Sequence, residues 1–190
     1  LGNKVGNFLE IEETIECLQR KGPADVMEVT YELGAEMLTM AGLASSHDEA
    51  IAKCKAVVKD GSALKKFLEN VEVQGGNAAE LMSQIGKRRS EFKTTLTASC
   101  DGYISINAFK TGMAGVTLGV GRNKTTDPVC GDAGMILHAH TGDKVSKGDL
   151  IMEIFGKDKD CLEPARKLLE EAVTYSQEQP EQNPLIFKKI

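Results

Sequence analysis

The sequence of 190 residues lacks the features of a membrane or nucleic-acid-binding protein. No apolar run approaches the roughly 20 residues of a membrane-spanning helix, so we expect no membrane partner. Basic residues number 23 against 28 acidic ones and are interspersed with them, which argues against a nucleic-acid surface. The composition is that of an ordinary globular protein of one or two domains.

Closely spaced cysteine pairs are also absent. A disulfide framework or a zinc site would need such pairs, which favours reduced thiols in a cytoplasmic protein. The five cysteines are widely separated in the sequence: Cys17, Cys54, Cys100, Cys130 and Cys161.

Local motifs indicate no catalytic centre. His138 and His140 would share one face of a strand, but no third metal ligand lies nearby in sequence, so a solvated strand face is the preferred interpretation. The pair Gly119 and Gly121 follows a predicted helix and is too short for a dinucleotide-binding motif, which indicates a helix end. The segment from His140 to Leu150 resembles biotin or lipoate carrier domains, yet no displayed carrier lysine follows it. We therefore expect a carrier-like fold without carrier chemistry.

The distribution of predicted elements indicates an α+β protein. The first 90 residues favour short helices, each opened by a capping residue with Glu three positions later: Asn7 with Glu10, Asp25 with Glu28, Ser46 with Glu49, and Asn77 with Glu80. Beyond them the pattern predicts strands over 94–99, 103–106, 135–140, 150–155 and 185–187, and helices over 107–118 and 162–177. The first helix carries acidic residues that suit the positive end of a helix dipole, one of which could reach a cation: Glu10, Glu12, Glu13 and Glu16.

An ordered set of motifs along the whole chain resembles the pyrimidine nucleoside phosphorylase family, which includes thymidine phosphorylase. The opening stretch Leu1-Gly-Asn-Lys-Val-Gly-Asn-Phe-Leu-Glu-Ile-Glu-Glu13 is similar to the family's L-G-x-x-V-G-N-x-L-E-V-x-E. The matching motifs that follow are Gly22-Pro-Ala-Asp25, Leu33-Gly-Ala-Glu-Met-Leu38, Asp60-Gly-Ser-Ala-Leu64, Val73-Gln-Gly-Gly76, Asp101-Gly-Tyr-Ile104, Leu118-Gly-Val-Gly-Arg122 and Gly142-Asp-Lys-Val-Ser-Lys-Gly148.

The resemblance implies the C-terminal portion of such an enzyme. Residues 1–90 would be helices that complete its α/β domain, and 93–190 would form a β-rich C-terminal subdomain with a barrel-sandwich, carrier-like fold. The family's members are homodimeric pentosyltransferases that cleave a pyrimidine nucleoside with inorganic phosphate, giving the base and a pentose 1-phosphate. Their Lys-His-Ser phosphate loop, Gly-Gly-Thr motif and base-binding residues have no counterpart here, so we expect this chain alone to be inactive.

The resemblance also implies part of a cation site, although catalysis requires no cofactor. Some bacterial members bind a monovalent or calcium-type cation through two backbone carbonyls and a glutamate of the opening motif. Residue by residue, these positions are Leu1, Lys4 and Glu13, and the other ligands would come from the absent phosphate-loop region.

Two other functions stay open. One is a non-enzymatic binding or scaffold module with a carrier-like fold, and the other is a phosphorylase acting on nucleoside monophosphates. A preference for thymidine or uridine depends on pocket residues that this sequence does not contain.

Overall fold

The computed structural model describes residues 1–181 and 183–187, and this part of the chain contains both helices and antiparallel strands. This confirms the α+β class. The helices are α1 (Asn7–Leu18), α2 (Ala24–Met40), α3 (His47–Lys59), α4 (Ser62–Val73), α5 (Ala78–Gln84), α6 (Ala108–Leu118) and α7 (Leu162–Ala172). The strands are β1 (Lys4–Val5), β2 (Lys93–Thr97), β3 (Gly102–Ile106), β4 (Gly134–Leu137), β5 (Lys144–Val145), β6 (Leu150–Phe155) and β7 (Val173–Ser176).

The described residues divide into two compact units. The first unit contains Leu1–Gly2, Glu12–Lys87 and residues 184–187, and the second contains Asn3–Ile11 with the described residues from Arg88 to Asn183. The predicted domains 1–90 and 93–190 remain a prediction about the family's organisation. None of the helices within residues 1–181 and 183–187 combines the length and apolar character that crossing a membrane requires.

Helix starts in the first unit follow the predicted capping pattern at two positions. Ser46 Oγ accepts a hydrogen bond from the Glu49 N–H at 3.2 Å, and Asn77 Oδ1 accepts one from the Glu80 N–H at 2.9 Å. The cap predicted at Asp25 is wrong, because Pro23 precedes α2 and Asp25 already lies in its first turn. The bonds made by Ser46 and Asn77 satisfy N–H groups in the first turns of α3 and α5 that have no partner inside the helix.

The start of α1, which lies in the second unit, also differs from the prediction. Glu10 Oε1 accepts from the Gly6 N–H at 3.0 Å, so the reciprocal bond reaches Gly6 instead of Asn7. The Asn7 amide instead donates to the Val120 carbonyl at 2.9 Å. The Asn7 side chain, which the sequence predicts as the helix cap, therefore bonds to a backbone carbonyl far away in sequence.

The core of the second unit lies on two antiparallel sheets. One sheet has the strand order β1-β4-β6-β2 and the other β5-β3-β7. Neither order closes on itself within the described residues, so a closed barrel is not observed there. Helices α6 and α7 pack on the same apolar cluster, whose fully buried members include Ile104, Leu118, Met135, Ile151, Met152, Ile154 and Leu169.

Several predicted element boundaries are wrong. The final helix ends at Ala172, and the next four residues form β7, because they pair with β3 in the register Ile106 opposite Val173. Strand β4 ends at Leu137, so His138 and His140 lie beyond it. No strand occurs over 185–187 in the described residues, and β1 was not predicted. The predicted helix end at Gly119 is confirmed, since this residue caps α6.

Candidate functional site

The three residues that the resemblance assigns to a cation are divided between the two units. Leu1 is 75% exposed and belongs to the first unit. Glu13 also belongs to the first unit, on α1, and its side chain is only 7% exposed. Lys4 belongs to the second unit, where it lies on β1 opposite Ile136 of β4.

Gly2 lies directly against the carboxylate of Glu13. A Cβ atom built on Gly2 would be 2.3 Å from Glu13 Oε2 and 3.0 Å from a methyl carbon of Val26. The Gly2 backbone also has a φ of +72°, which side chains rarely adopt. Only glycine fits this position without displacing the carboxylate. The Glu13 carboxylate therefore occupies the volume that a side chain at position 2 would need.

A second carboxylate holds the same glycine from another helix. The Gly2 N–H donates a hydrogen bond to Asp25 Oδ2 at 2.9 Å, and the Val26 N–H donates to Asp25 Oδ1 at 2.8 Å. Sequence reasoning missed this contact. The available signal was an aspartate two residues after Pro23, but nothing in the sequence indicated a partner 23 positions away.

The donors in this region fit a hard cation. Calcium and related ions prefer carboxylate and carbonyl oxygens, and Glu13 supplies a buried carboxylate beside an unhindered backbone. Leu1 belongs to the same unit. A carboxylate and a backbone carbonyl are ligand types that the resemblance implies.

The other acidic residues of α1 have separate structural tasks. Glu12 is 1% exposed, and its Oε2 accepts a hydrogen bond from the Gly86 N–H at 2.6 Å. Because Gly86 follows α5, this bond ties α1 to the end of that helix within the first unit. Glu10 bonds the Gly6 N–H. Two of the four acidic residues on α1, Glu10 and Glu12, are thus explained by bonds to backbone N–H groups.

The two neighbouring histidines do not form a metal centre. His138 Nε2 lies 3.1 Å from Glu153 Oε2, and His140 Nδ1 lies 3.6 Å from Asp143 Oδ2. Each histidine pairs with its own carboxylate at the surface. No group of three or more His, Cys, Asp or Glu side chains within the described ranges is placed to hold a metal ion.

Two open cavities of the first unit have unfavourable charge for phosphate. One, of about 520 Å³, is lined by Lys65, Glu69 and Glu72 with apolar residues of α4 and α5. Another, of about 330 Å³, is lined by Lys55, Glu28 and Glu32 beside Tyr31. Each therefore presents two carboxylates to one ammonium group, which opposes the binding of an anion.

The surroundings of Tyr31 in the first unit raise the pKa of its phenol. Burial raises the pKa of its phenol above the usual 10.0, and the negative charges of Cys17 and Cys54 in their thiolate forms raise that pKa further. The phenol is protonated at neutral pH, as an unperturbed phenol is, so it adds no charge that would attract phosphate.

Comparison with known proteins identifies the class. Residues 103–176, which lie in the second unit, match the pyrimidine nucleoside phosphorylase C-terminal domain. The chain is related along its whole length to the C-terminal portion of this family.

Individual relatives support the same relationship. The chain is 32% identical over 191 residues to the pyrimidine-nucleoside phosphorylase of Geobacillus stearothermophilus, covering 100% of this chain and 44% of the relative. It is 32% identical to that of Bacillus subtilis (strain 168) and 34% identical to one of Staphylococcus epidermidis, each over 169 residues. These two matches cover 88% of this chain and 39% of the relative. The chain thus spans about two-fifths of the length of the curated relatives it matches.

Proposed function

We propose that this chain supplies the C-terminal part of a pyrimidine nucleoside phosphorylase. The observation that carries the proposal is 32% identity over 191 residues to an enzyme of that name. The substrates are a pyrimidine nucleoside and inorganic phosphate, and the products are the free base and a pentose 1-phosphate. The complete enzyme acts in the cytoplasm as a homodimer.

In this proposal, the chain has a supporting role. The first unit contributes helices to the α/β domain, and the second forms the carrier-like C-terminal subdomain. The chain by itself performs no phosphorolysis, because its sequence holds neither a Lys-His-Ser nor a Gly-Gly-Thr stretch. The excess of carboxylates in the two described cavities of the first unit supports this expectation, since they repel a phosphate anion.

The proposal includes a cation held in part by Leu1, Lys4 and Glu13. The Leu1 and Lys4 carbonyls and the Glu13 carboxylate would be the ligands from this chain. When bound, a cation supplies a fixed positive charge that orders neighbouring oxygen ligands. Glu13 is suited to this role, because its carboxylate is buried beside the unhindered Gly2 backbone.

A chimaeric enzyme tests the function. The matched portion of the Geobacillus stearothermophilus enzyme is replaced with residues 1–190, and phosphate-dependent release of thymine and uracil is measured. We expect activity within about 100-fold of the unmodified relative, a loss of less than about 3 kcal/mol in transition-state stabilisation. We expect no base release from the 190-residue chain alone.

The controls separate a supporting role from a scaffold module. Circular dichroism establishes that the chimaera is folded. A folded chimaera that releases no base would favour a scaffold module. Turnover by the chain alone would contradict its supporting role.

A further inference from the structure

The first unit has little hydrophobic core of its own. Its buried apolar residues in the described part of the chain are mostly small: Ile15, Cys17, Ala35, Ala50, Val58 and Ala78. No leucine, methionine or phenylalanine among the described residues of this unit is fully buried. Hydrophobic stabilisation grows with the apolar area that folding removes from water. A unit with so small a core therefore depends on apolar contacts beyond those between its own helices.

Helix α2 of this unit exposes a stripe of large apolar side chains, Leu33, Met37 and Met40, which we call the α2 face. These side chains are 60%, 65% and 86% exposed. Residues spaced by four and three positions lie on the same face of a helix, one turn after another. Contiguous exposed apolar surface is rare on soluble monomers and marks interaction sites. The α2 face is therefore a candidate docking surface.

Helix α2 packs on α3 through its opposite side. Glu32 bonds His47 of α3 at 2.9 Å, and the Lys55 ammonium group of α3 lies 5.7 Å from the centre of the Tyr31 ring. Ala35, the buried residue of α2, is two positions away from two members of the α2 face. At 3.6 residues per turn, two positions correspond to a rotation of about 200°. The α2 face thus points away from α3.

The turn that ends α2 exposes one more large apolar side chain. The Gly42 N–H donates to the Thr39 carbonyl at 3.0 Å, and the Leu43 N–H donates to the Leu38 carbonyl at 2.9 Å. Together with the φ of +70° at Gly42, these bonds form a Schellman motif, which fixes the backbone after the helix. Leu43 is nevertheless 61% exposed. The end of α2 therefore holds an exposed leucine on an ordered turn.

The charges on α2 argue against a membrane or a second copy of the chain as the occupant. Every charged residue of the helix is acidic: Asp25, Glu28, Glu32 and Glu36. Helices that lie on membrane surfaces are instead rich in Lys and Arg. Two copies of α2 would bring only negative charges together, and like charges across an interface lower affinity. The observations favour a different polypeptide surface, apolar and without excess acidic charge.

The comparison with relatives indicates which polypeptide fits this description. The family's C-terminal domain matches residues 103–176, so α2 lies in the part of the family that precedes this domain. The chain covers 44% of the Geobacillus stearothermophilus enzyme, and more than half of that enzyme lies outside the match. Segments of a single polypeptide contact one another at high effective concentration, so a modest apolar face is sufficient for docking.

We propose that the α2 face and Leu43 dock against an apolar surface of the N-terminal portion of a pyrimidine nucleoside phosphorylase. This inference rests on the proposed function and names the surface through which the first unit joins the rest of the enzyme. Docking buries the four apolar side chains and supplies the core that the unit lacks. The flexible side chains of Met37 and Met40 suit such a contact, because methionine adapts to irregular apolar surfaces.

Oxidation of methionine by hydrogen peroxide measures the burial of this face. The 190-residue chain and the chimaeric enzyme described above are treated in parallel, and mass spectrometry quantifies the sulfoxide at each methionine. Met113 of α6, which is 44% exposed, is the matched control in the second unit. The fully buried Met135 and Met152 give the slowest rates for comparison. Circular dichroism establishes that both proteins are folded.

We expect protection that is confined to the α2 face. In the chain alone, Met37 and Met40 should oxidise faster than Met113, following their exposure. In the chimaera, the rates at Met37 and Met40 should fall by about ten-fold or more, and the rate at Met113 should change by less than about two-fold.

A substitution gives a second, independent measurement. Met40→Lys should lower the Tm of the chimaera by about 4 °C or more, because a charge is costly where it is buried. The same substitution should shift the Tm of the chain alone by less than about 2 °C, as is usual at an exposed position. Met113→Lys is the matched control, and its effect should be equal in the two proteins.

Several results would overturn the proposal. Unchanged oxidation of Met37 and Met40 in a folded chimaera would remove the docking surface, and an equal fall at Met113 would indicate a general change instead. Protection of Met37 and Met40 in the chain alone as its concentration rises would assign the face to a second copy. A chimaera that stays unfolded while the chain alone folds would show that the face does not fit this segment.

Failure of the proposed function can be distinguished from failure of this docking. A folded chimaera that protects Met37 and Met40 but releases no base would support the docking surface and contradict the proposed activity. A chimaera that releases base while both methionines stay as reactive as in the chain alone would support the activity and contradict the docking surface.

Discussion

Substitution of Gly6 by alanine should disrupt the contact of β1 with β4. Gly6 lies between β1 and α1, with a φ of +144° that side chains rarely adopt. A Cβ atom at this position would be 2.6 Å from the Ala133 carbonyl oxygen and 2.9 Å from the Gly134 Cα. Both obstacles are backbone atoms, so no side-chain rotation can relieve the clash.

Two costs add in the Gly6→Ala variant. The backbone conformation costs alanine of order 1–3 kcal/mol. The displaced strand adds about 1–3 kcal/mol, as in other overpacked sites. The sum is about 2–6 kcal/mol, which corresponds to a loss of roughly 5–20 °C in the Tm of a chain of this size.

Gly148→Ala is the matched control in the same unit. Gly148 has a φ of +95°, but no atom lies within 4 Å of the Cβ that alanine would add. It should therefore lose only the backbone term, about 1–2 kcal/mol. Thermal unfolding followed by circular dichroism and amide exchange in β4 compares the two variants. Equal destabilisation of both would refute the steric explanation.

Three further predictions concern single side chains. Hydrogen bonds from Lys53 and Ser45 lower the pKa of Glu49 from 4.5 to about 2. The ionised Glu49 carboxylate therefore contributes its full stabilisation above pH 4.5, and this contribution is lost as the pH falls towards 2. Titration of the carboxyl group by NMR checks this pKa. Ile154→Ala removes a fully buried side chain of β6 and should cost about 2–5 kcal/mol in denaturant unfolding. Ser46→Ala removes the cap of α3 and should cost about 0.5–2 kcal/mol in the same assay.

Each of these predictions has an internal control. Titration of Glu49 near 4.5 would contradict the bonds to Ser45 and Lys53. Leu150→Ala lies on the same strand as Ile154 but at a partly exposed position, so it should cost less. Ser46→Asp keeps an acceptor for the Glu49 N–H and should restore most of the stability that Ser46→Ala loses.

Elements with strong local signals were predictable, and those set by distant pairing were not. The helix over 108–118 carries its own cap at Asn107, whose side chain accepts from the Lys110 N–H. Strand β7 continues directly from α7, and its pairing with β3, about 70 residues earlier in sequence, selects the extended conformation. A two-residue strand such as β1 is too short to show any periodicity, and its partner lies about 130 residues away.

The candidate cation site is a prediction that rests only on the resemblance. The acidic run of α1 suggested a dipole effect, whereas the structure assigns Glu10 and Glu12 to particular N–H groups. The burial of Glu13 against Gly2 depends on the tertiary fold of the chain, which the spacing of residues in the sequence does not specify. Asp25 was expected to cap a helix, and its bond to Gly2 became apparent only from the folded chain.

The position of β1 has a consequence for dividing the protein experimentally. Because β1 is the outermost strand beside β4, a polypeptide of residues 88–183 would leave the free N–H and C=O groups of β4 open to solvent. Uncovered strand edges recruit other chains and promote aggregation. A soluble β-rich piece should therefore retain Asn3–Ile11, joined to Arg88 by a short linker, although these residues lie more than 75 positions apart in sequence.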